Sequence, residues 1–148
     1  MNEQYRNLVL MRHAKSAYPD GIADHDRPLA PRGIREAGLA GGWLRANLPA
    51  VDAPARYAER LYGAAPGTVI EEINRVGDNV TTLLVVGHEP TTSALAIVLA
   101  SISGTDAAVA ERISEKFPTS GIAVLRVAGH WADVEPGCAA LVGFHVPR

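Results

Sequence analysis

The chain has 148 residues, 47% hydrophobic and 20% charged, a composition that excludes general disorder and supplies one ordinary domain with a core of its own. With a formal net charge of −2 and no basic stripe in its sequence, the chain is a poor candidate for gripping a nucleic-acid backbone. A single cysteine, Cys138, excludes an internal disulfide and a multi-cysteine metal cluster, which suits a reducing, cytoplasmic setting. The longest apolar stretch, Ala94–Ala100, is far shorter than a membrane span. Met1–Arg6 lacks the basic and apolar regions of a signal peptide.

Asn7–Met11 is a short apolar run that stops at Arg12-His13, which predicts a buried strand. A polar, turn-rich loop follows from Ser16 to Pro31. Gly33–Asn47 has helical spacing, with Ile34, Ala37, Ala40, Leu44 and Leu48 expected inward. Residues 47–60 hold Pro49 and Pro54 and no strand pattern. Pro66–Val76 predicts a second helix with Val69, Ile70 and Ile73 inward and Gly77 as its stop. Thr81–Val86 is the clearest strand and runs into Gly87-His88-Glu89-Pro90. A helix from Thr91 to Ser101 is expected to bury Leu95, Val98, Leu99 and Ile102. Asp106–Lys116 is a further helix, capped by Thr105 or Asp106. Gly121–Val127 and Ala139–Val146 predict strands joined by a long connection that contains Trp131. The element order implies a layered α/β domain whose sheet is mainly parallel, with an antiparallel pair at the end.

Two places share one design. Each is an apolar strand whose carboxyl end delivers a histidine into a loop: His13 after Arg12, and His88 after Gly87. Ligands of open α/β sheets bind beyond the carboxyl ends of strands, so neighbouring strands put both histidines in one crevice. Gly87 is expected to admit a ligand close to the backbone, and the helix opening at Pro90 to aim free N–H groups at an anion. Arg12 supplies a phosphate fork. A neutral imidazole can attack phosphorus and carry the phosphoryl group, while a second histidine stabilises the transferring oxygens. Lys15, Ser16 and Glu89 are further candidates for contact with the phosphate. His25, His130 and His145 lack this context and read as surface or capping residues. Asp24-His25-Asp26 forms a metal set only if it meets His13 and His88; a polar loop of this kind is more often solvated. Trp43 and Trp131 read as packing residues. No metal or other cofactor is implied.

Leu8-Val9-Leu10-Met11-Arg12-His13-Ala14-Lys15-Ser16 resembles the opening signature of the histidine phosphatase superfamily, in its small SixA-like phosphohistidine phosphatase branch. Asp24–Leu29 with Arg32-Gly33, Val85–Pro90 and Lys116–Gly121 are similar to that branch's later blocks, so the resemblance covers nearly the whole chain. It implies a phosphoglycerate mutase-like domain of three layers, with helices on both faces of the sheet. It implies that His13 is the nucleophile, that Arg12 binds the phosphoryl group and that His88 stabilises it in the transition state. The implied substrate is a phosphohistidine on a partner protein in the cytoplasm, with no role for nucleic acid or membrane. Glu89 is the nearest candidate for a general acid. Two alternatives stand beside this: a phosphatase of small phosphomonoesters, and a binding module without turnover.

One departure matters. In the family the first helix leads to a strand, a serine-containing loop and a second phosphate-binding arginine. Here Trp43–Asp52 runs straight to Ala53-Pro54-Ala55-Arg56-Tyr57, so a segment of roughly twenty residues is absent near 49–57. Arg56 and Arg60 lie close by in other surroundings, and the role does not transfer to them. Either the stretch is left out of the sequence as read, or the protein lacks it. A true loss removes a charge clamp and exposes a neighbouring strand's edge.

Overall fold

The computed structural model describes residues 5–13, 31–48 and 64–147. Arg6–Arg12 forms β1, followed by α1 (Pro31–Asn47), α2 (Pro66–Asn74), β2 (Thr82–Gly87), α3 (Thr91–Leu99), α4 (Ala107–Glu115), β3 (Ile122–Val127), a 3-10 turn (Trp131–Asp133) and β4 (Ala139–His145). The sheet order is β2-β1-β3-β4. β1 is parallel to β2 and antiparallel to β3, and β3 is antiparallel to β4. The expected antiparallel end pair is therefore present, but the sheet is mixed rather than mainly parallel among the described strands. The reason lies in the entry to β3. Ser120 N–H donates to the carbonyls of Arg12 and His13, so β3 starts where β1 finishes and must run back along it.

An unbroken apolar strand needs cover on both faces, because successive side chains alternate. Leu8 and Leu10 of β1 pack with Leu125, Leu95, Leu99, Ile73 and Ile113 in the larger core, under α2, α3 and α4. Val9 and Met11 pack the other way, with Ile122, Val124 and Ala40, under α1 with its Trp43 and Leu44. Helices thus lie on both faces of the sheet. Trp131 is fully buried and donates its ring N–H to the Val80 carbonyl at 2.8 Å.

Helix α2 buries Val69, Ile70 and Ile73 as the spacing predicts. Helix α4 is capped by Asp106, whose carboxylate accepts from the N–H groups of Ala108 and Val109 at 3.0 and 3.3 Å. Thr105 has a different task, accepting from Leu141 N–H at 3.2 Å. In α3 the buried stripe is Thr92, Leu95, Ala96 and Leu99. Val98 and Ile102, expected inward, are exposed. The helix ends at Leu99 with Ala100 extended, so Ile102 lies beyond the helical register. Ile34 of α1 is likewise 63% exposed, since the contact of α1 with the sheet is made by Ala40, Trp43, Leu44 and Leu48.

β2 is an edge strand. Leu83 and Val85 pack on the larger core, while Leu84 and Val86 face the side of α1 and are 44% and 51% exposed. The smaller cluster under α1 draws on β1, β3 and β4 and does not reach β2. Among the described residues no strand pairs with its outer side, and no helix is long and apolar enough to cross a membrane. The predicted loss near 49–57 falls outside the described residues.

Candidate active site

The site begins with register. Arg12 pairs with Gly87 in the parallel ladder, and the His13 N–H donates to the Gly87 carbonyl at 2.8 Å. The next residue on each strand is a histidine. Parallel neighbours sit about 4.8 Å apart, and the rings of His13 and His88 lie with centroids 4.2 Å apart, tilted by 46°. The sheet itself brings the two imidazoles together at the carboxyl ends of adjacent strands, both half-buried.

Arg12, the last residue of β1 and the one before His13, is half-buried. Its Nη1 donates to the Phe117 carbonyl at 2.8 Å, while its Nε is buried with no hydrogen-bond partner. A buried donor left unmatched costs about 1–3 kcal/mol, which a bound anion would offset. Phe117 belongs to the turn that closes over the end of β1. Within it, the Gly121 carbonyl accepts from Arg12 N–H at 3.0 Å, and Ser120 N–H donates to the carbonyls of Arg12 and His13 at 3.0 and 3.2 Å. Ser120 is fully buried, has a left-handed φ of 61°, and carries a buried hydroxyl with no partner. In the sequence Ser120 is marked only by its place in the Lys116–Gly121 block, before a strand, with no role attached to the residue itself.

At the other strand end, the His88 carbonyl accepts from the N–H and Oγ1 of Thr92 at 2.9 and 3.1 Å, which starts α3. Glu89 corrects an expectation. Its carboxylate accepts from Ser93 N–H at 2.8 Å and Ser93 Oγ at 2.7 Å, capping the positive end of α3. A carboxylate accepts and does not donate, so this group neutralises the helix end instead of holding a phosphate oxygen. The N–H groups of Thr92 and Ser93, expected to be free for an anion, are already taken. Gly87 also has a different reason to be glycine: a Cβ there would stand 3.1 Å from Thr92 Oγ1, so the close approach is to its own helix.

Lys15, Ser16 and the Asp24-His25-Asp26 cluster lie outside the described residues. Among those described, no group of three metal-ligating side chains occurs. His130 is exposed and sits 3.1 Å from Asp78 Oδ2. His145, expected at the surface, stacks on Trp43 with ring centroids 4.8 Å apart, and burial holds its imidazole below the usual pKa.

The sheet order and the helices on its two faces define a class of domain, and known structures share that fold. A candidate phosphohistidine phosphatase SixA from Nakamurella multipartitia superposes with a TM-score of 0.86 at 34% identity, over 97% of this chain and 96% of that one. A second SixA candidate, from Agrobacterium tumefaciens, gives 0.73 at 24% identity over 96% and 99% of the two chains. The protein histidine phosphatase SixA complexed with tungstate gives 0.70 at 20% identity over 95% and 97%. These last two show likeness of fold alone. The chain belongs to the SixA-like branch of the histidine phosphatase superfamily. No family model matches it.

Its sequence relatives include uncharacterized proteins from two strains of Mycobacterium tuberculosis, each 87% identical over 158 residues, covering 93% of this chain and 100% of the relative. A Mycobacterium leprae protein, also uncharacterized, is 57% identical over 162 residues with the same coverage. As 93% of 148 residues is about 138, the 158-residue relatives hold about twenty residues without a counterpart here.

Proposed function

We propose that the protein is a phosphatase that removes the phosphoryl group from a phosphohistidine on a partner protein in the cytoplasm, through a covalent intermediate on His13. The observation that carries this reading is the pair of rings 4.2 Å apart, on the residue after Arg12 and the residue after Gly87, with the Nε of Arg12 buried and unpartnered. A ring nitrogen of His13 attacks phosphorus while the bond from phosphorus to the substrate imidazole breaks and that imidazole takes up a proton from solvent water. Arg12 and His88 donate to the phosphoryl oxygens as charge builds on them. Water then attacks phosphorus, the bond to His13 breaks, and orthophosphate leaves. An imidazole leaves more readily than an alkoxide, so a strong general acid is not needed, consistent with the engagement of Glu89 by Ser93. Lys15 and Ser16 remain candidates for further contact with the phosphate. The resemblance and the SixA neighbours support the same reading.

A second reading is favoured by the length difference. The twenty or so residues present in the relatives and lacking here include, on this reading, the strand and second arginine missed near 49–57, and their loss leaves a domain that binds phosphate without turnover. One experiment separates the readings. The intact protein is incubated with a phosphohistidine peptide, with a sugar phosphate as the competing substrate. Turnover of the peptide, an acid-labile phosphoenzyme and loss of both in His13→Ala are expected. Activity retained in His13→Ala overturns the mechanism; binding of phosphate without turnover by wild type selects the second reading, and preference for the sugar phosphate reassigns the substrate.

A further inference from the structure

Ser120 combines three features found together at no other described residue. Its side chain is fully buried, its hydroxyl has no partner, and its backbone is left-handed. The last two are unfavourable, and glycine would remove both, since it lacks a hydroxyl and adopts positive φ freely. A serine that carries both disadvantages calls for a use of the hydroxyl. Its location names the use: Ser120 N–H is bonded to the carbonyls of Arg12 and of His13, so the residue is fastened to both the anion fork and the proposed nucleophile. The Nε of Arg12 is the other buried, unpartnered donor at this place. A pair of unmatched donors on residues joined backbone to backbone suits one acceptor group with several lone pairs, and a phosphoryl group has them.

We propose that the Ser120 hydroxyl is a further binding group of the site, donating, alongside the Arg12 Nε–H, to an oxygen of the bound phosphoryl group. This rests on the phosphatase reading above. In this left-handed turn the N–H is taken up by the two carbonyls while the hydroxyl has no protein partner.

The test measures orthophosphate binding to the intact protein by calorimetry, with melting temperature taken on the same samples. Ser120→Gly keeps the turn and deletes the hydroxyl; Ser120→Ala deletes the hydroxyl and strains the turn. In Ser120→Gly the dissociation constant for orthophosphate rises about tenfold, the loss of one hydrogen bond to a charged group, with no fall in melting temperature. Ser120→Ala loses affinity to the same extent and also melts lower. A purely architectural serine predicts the opposite pattern, with Ser120→Gly binding orthophosphate as tightly as wild type, and that result overturns the proposal. If wild type itself binds no orthophosphate, the phosphatase reading fails and takes this one with it. Wild-type binding with an unaffected Ser120→Gly rejects the hydroxyl's role alone.

Discussion

Replacing Arg12 with lysine keeps the positive charge and removes the fork, so it measures what the geometry contributes. The guanidinium carries five N–H donors in a fixed plane. One nitrogen, Nη1, is tied to the Phe117 carbonyl at 2.8 Å, which orients the plane and leaves the buried Nε–H unmatched until a ligand arrives. An ammonium on a flexible stem cannot hold that tether and also present a directed donor. Deleting one oriented donor from a developing oxyanion costs about 100-fold to 1,000-fold in kcat, and with the charge retained the lower end applies, about 2.7 kcal/mol. The Phe117 carbonyl loses its side-chain partner too, about 1 kcal/mol of stability, or ~3 °C in melting temperature for a domain of this size. The assay is steady-state hydrolysis of a phosphohistidine peptide, paired with a thermal melt. A folded Arg12→Lys whose kcat/KM stays within about threefold of wild type would refute the reasoning, because charge alone would then suffice.

Asp106→Ala removes the two hydrogen bonds that start α4 and should cost about 1 kcal/mol, read as ~3 °C in a thermal melt, with phosphate binding unchanged. His145 should make the fold sensitive to acid. Burial lowers its folded pKa below 6.5, so as pH falls through the unfolded value the unfolded chain binds the proton first and stability drops; above that pH the group contributes no such dependence. His145→Phe, which keeps a ring against Trp43, should therefore show a smaller fall in melting temperature between neutral pH and mildly acidic buffer. Equal falls in the two proteins would show that this imidazole carries none of the effect.

The strand ends were legible because their signals are local. An unbroken apolar run stopping at Arg12-His13, and a second stopping at Gly87-His88, mark both position and polarity. Which side of a helix faces inward was less legible where the helix is short. Val98 and Ile102 fit the spacing, yet α3 stops at Leu99 and its buried stripe begins at Thr92. Mixed pairing was hidden because the direction of β3 depends on a turn that docks onto the end of β1, a contact more than a hundred residues apart in sequence. Glu89 misled for a related reason: beside a candidate catalytic histidine it reads as functional, while the competing partner, Ser93, sits one helical turn away. Ser120 stood in the family-like Lys116–Gly121 block, but its own part was hidden, since neither a backbone angle nor an unmatched hydroxyl can be read from a letter.

The outer flank of β2, which no described strand covers, gives this molecule a social side. Leu84 and Val86 lie bare along a rim whose outer main-chain groups have no strand neighbour among the described residues, and such rims are templates for adhesion between chains. The same strand terminates at His88. Whatever zips onto that rim arrives at the doorstep of the histidine pair, so crowding and the proposed chemistry share one strand in this fold.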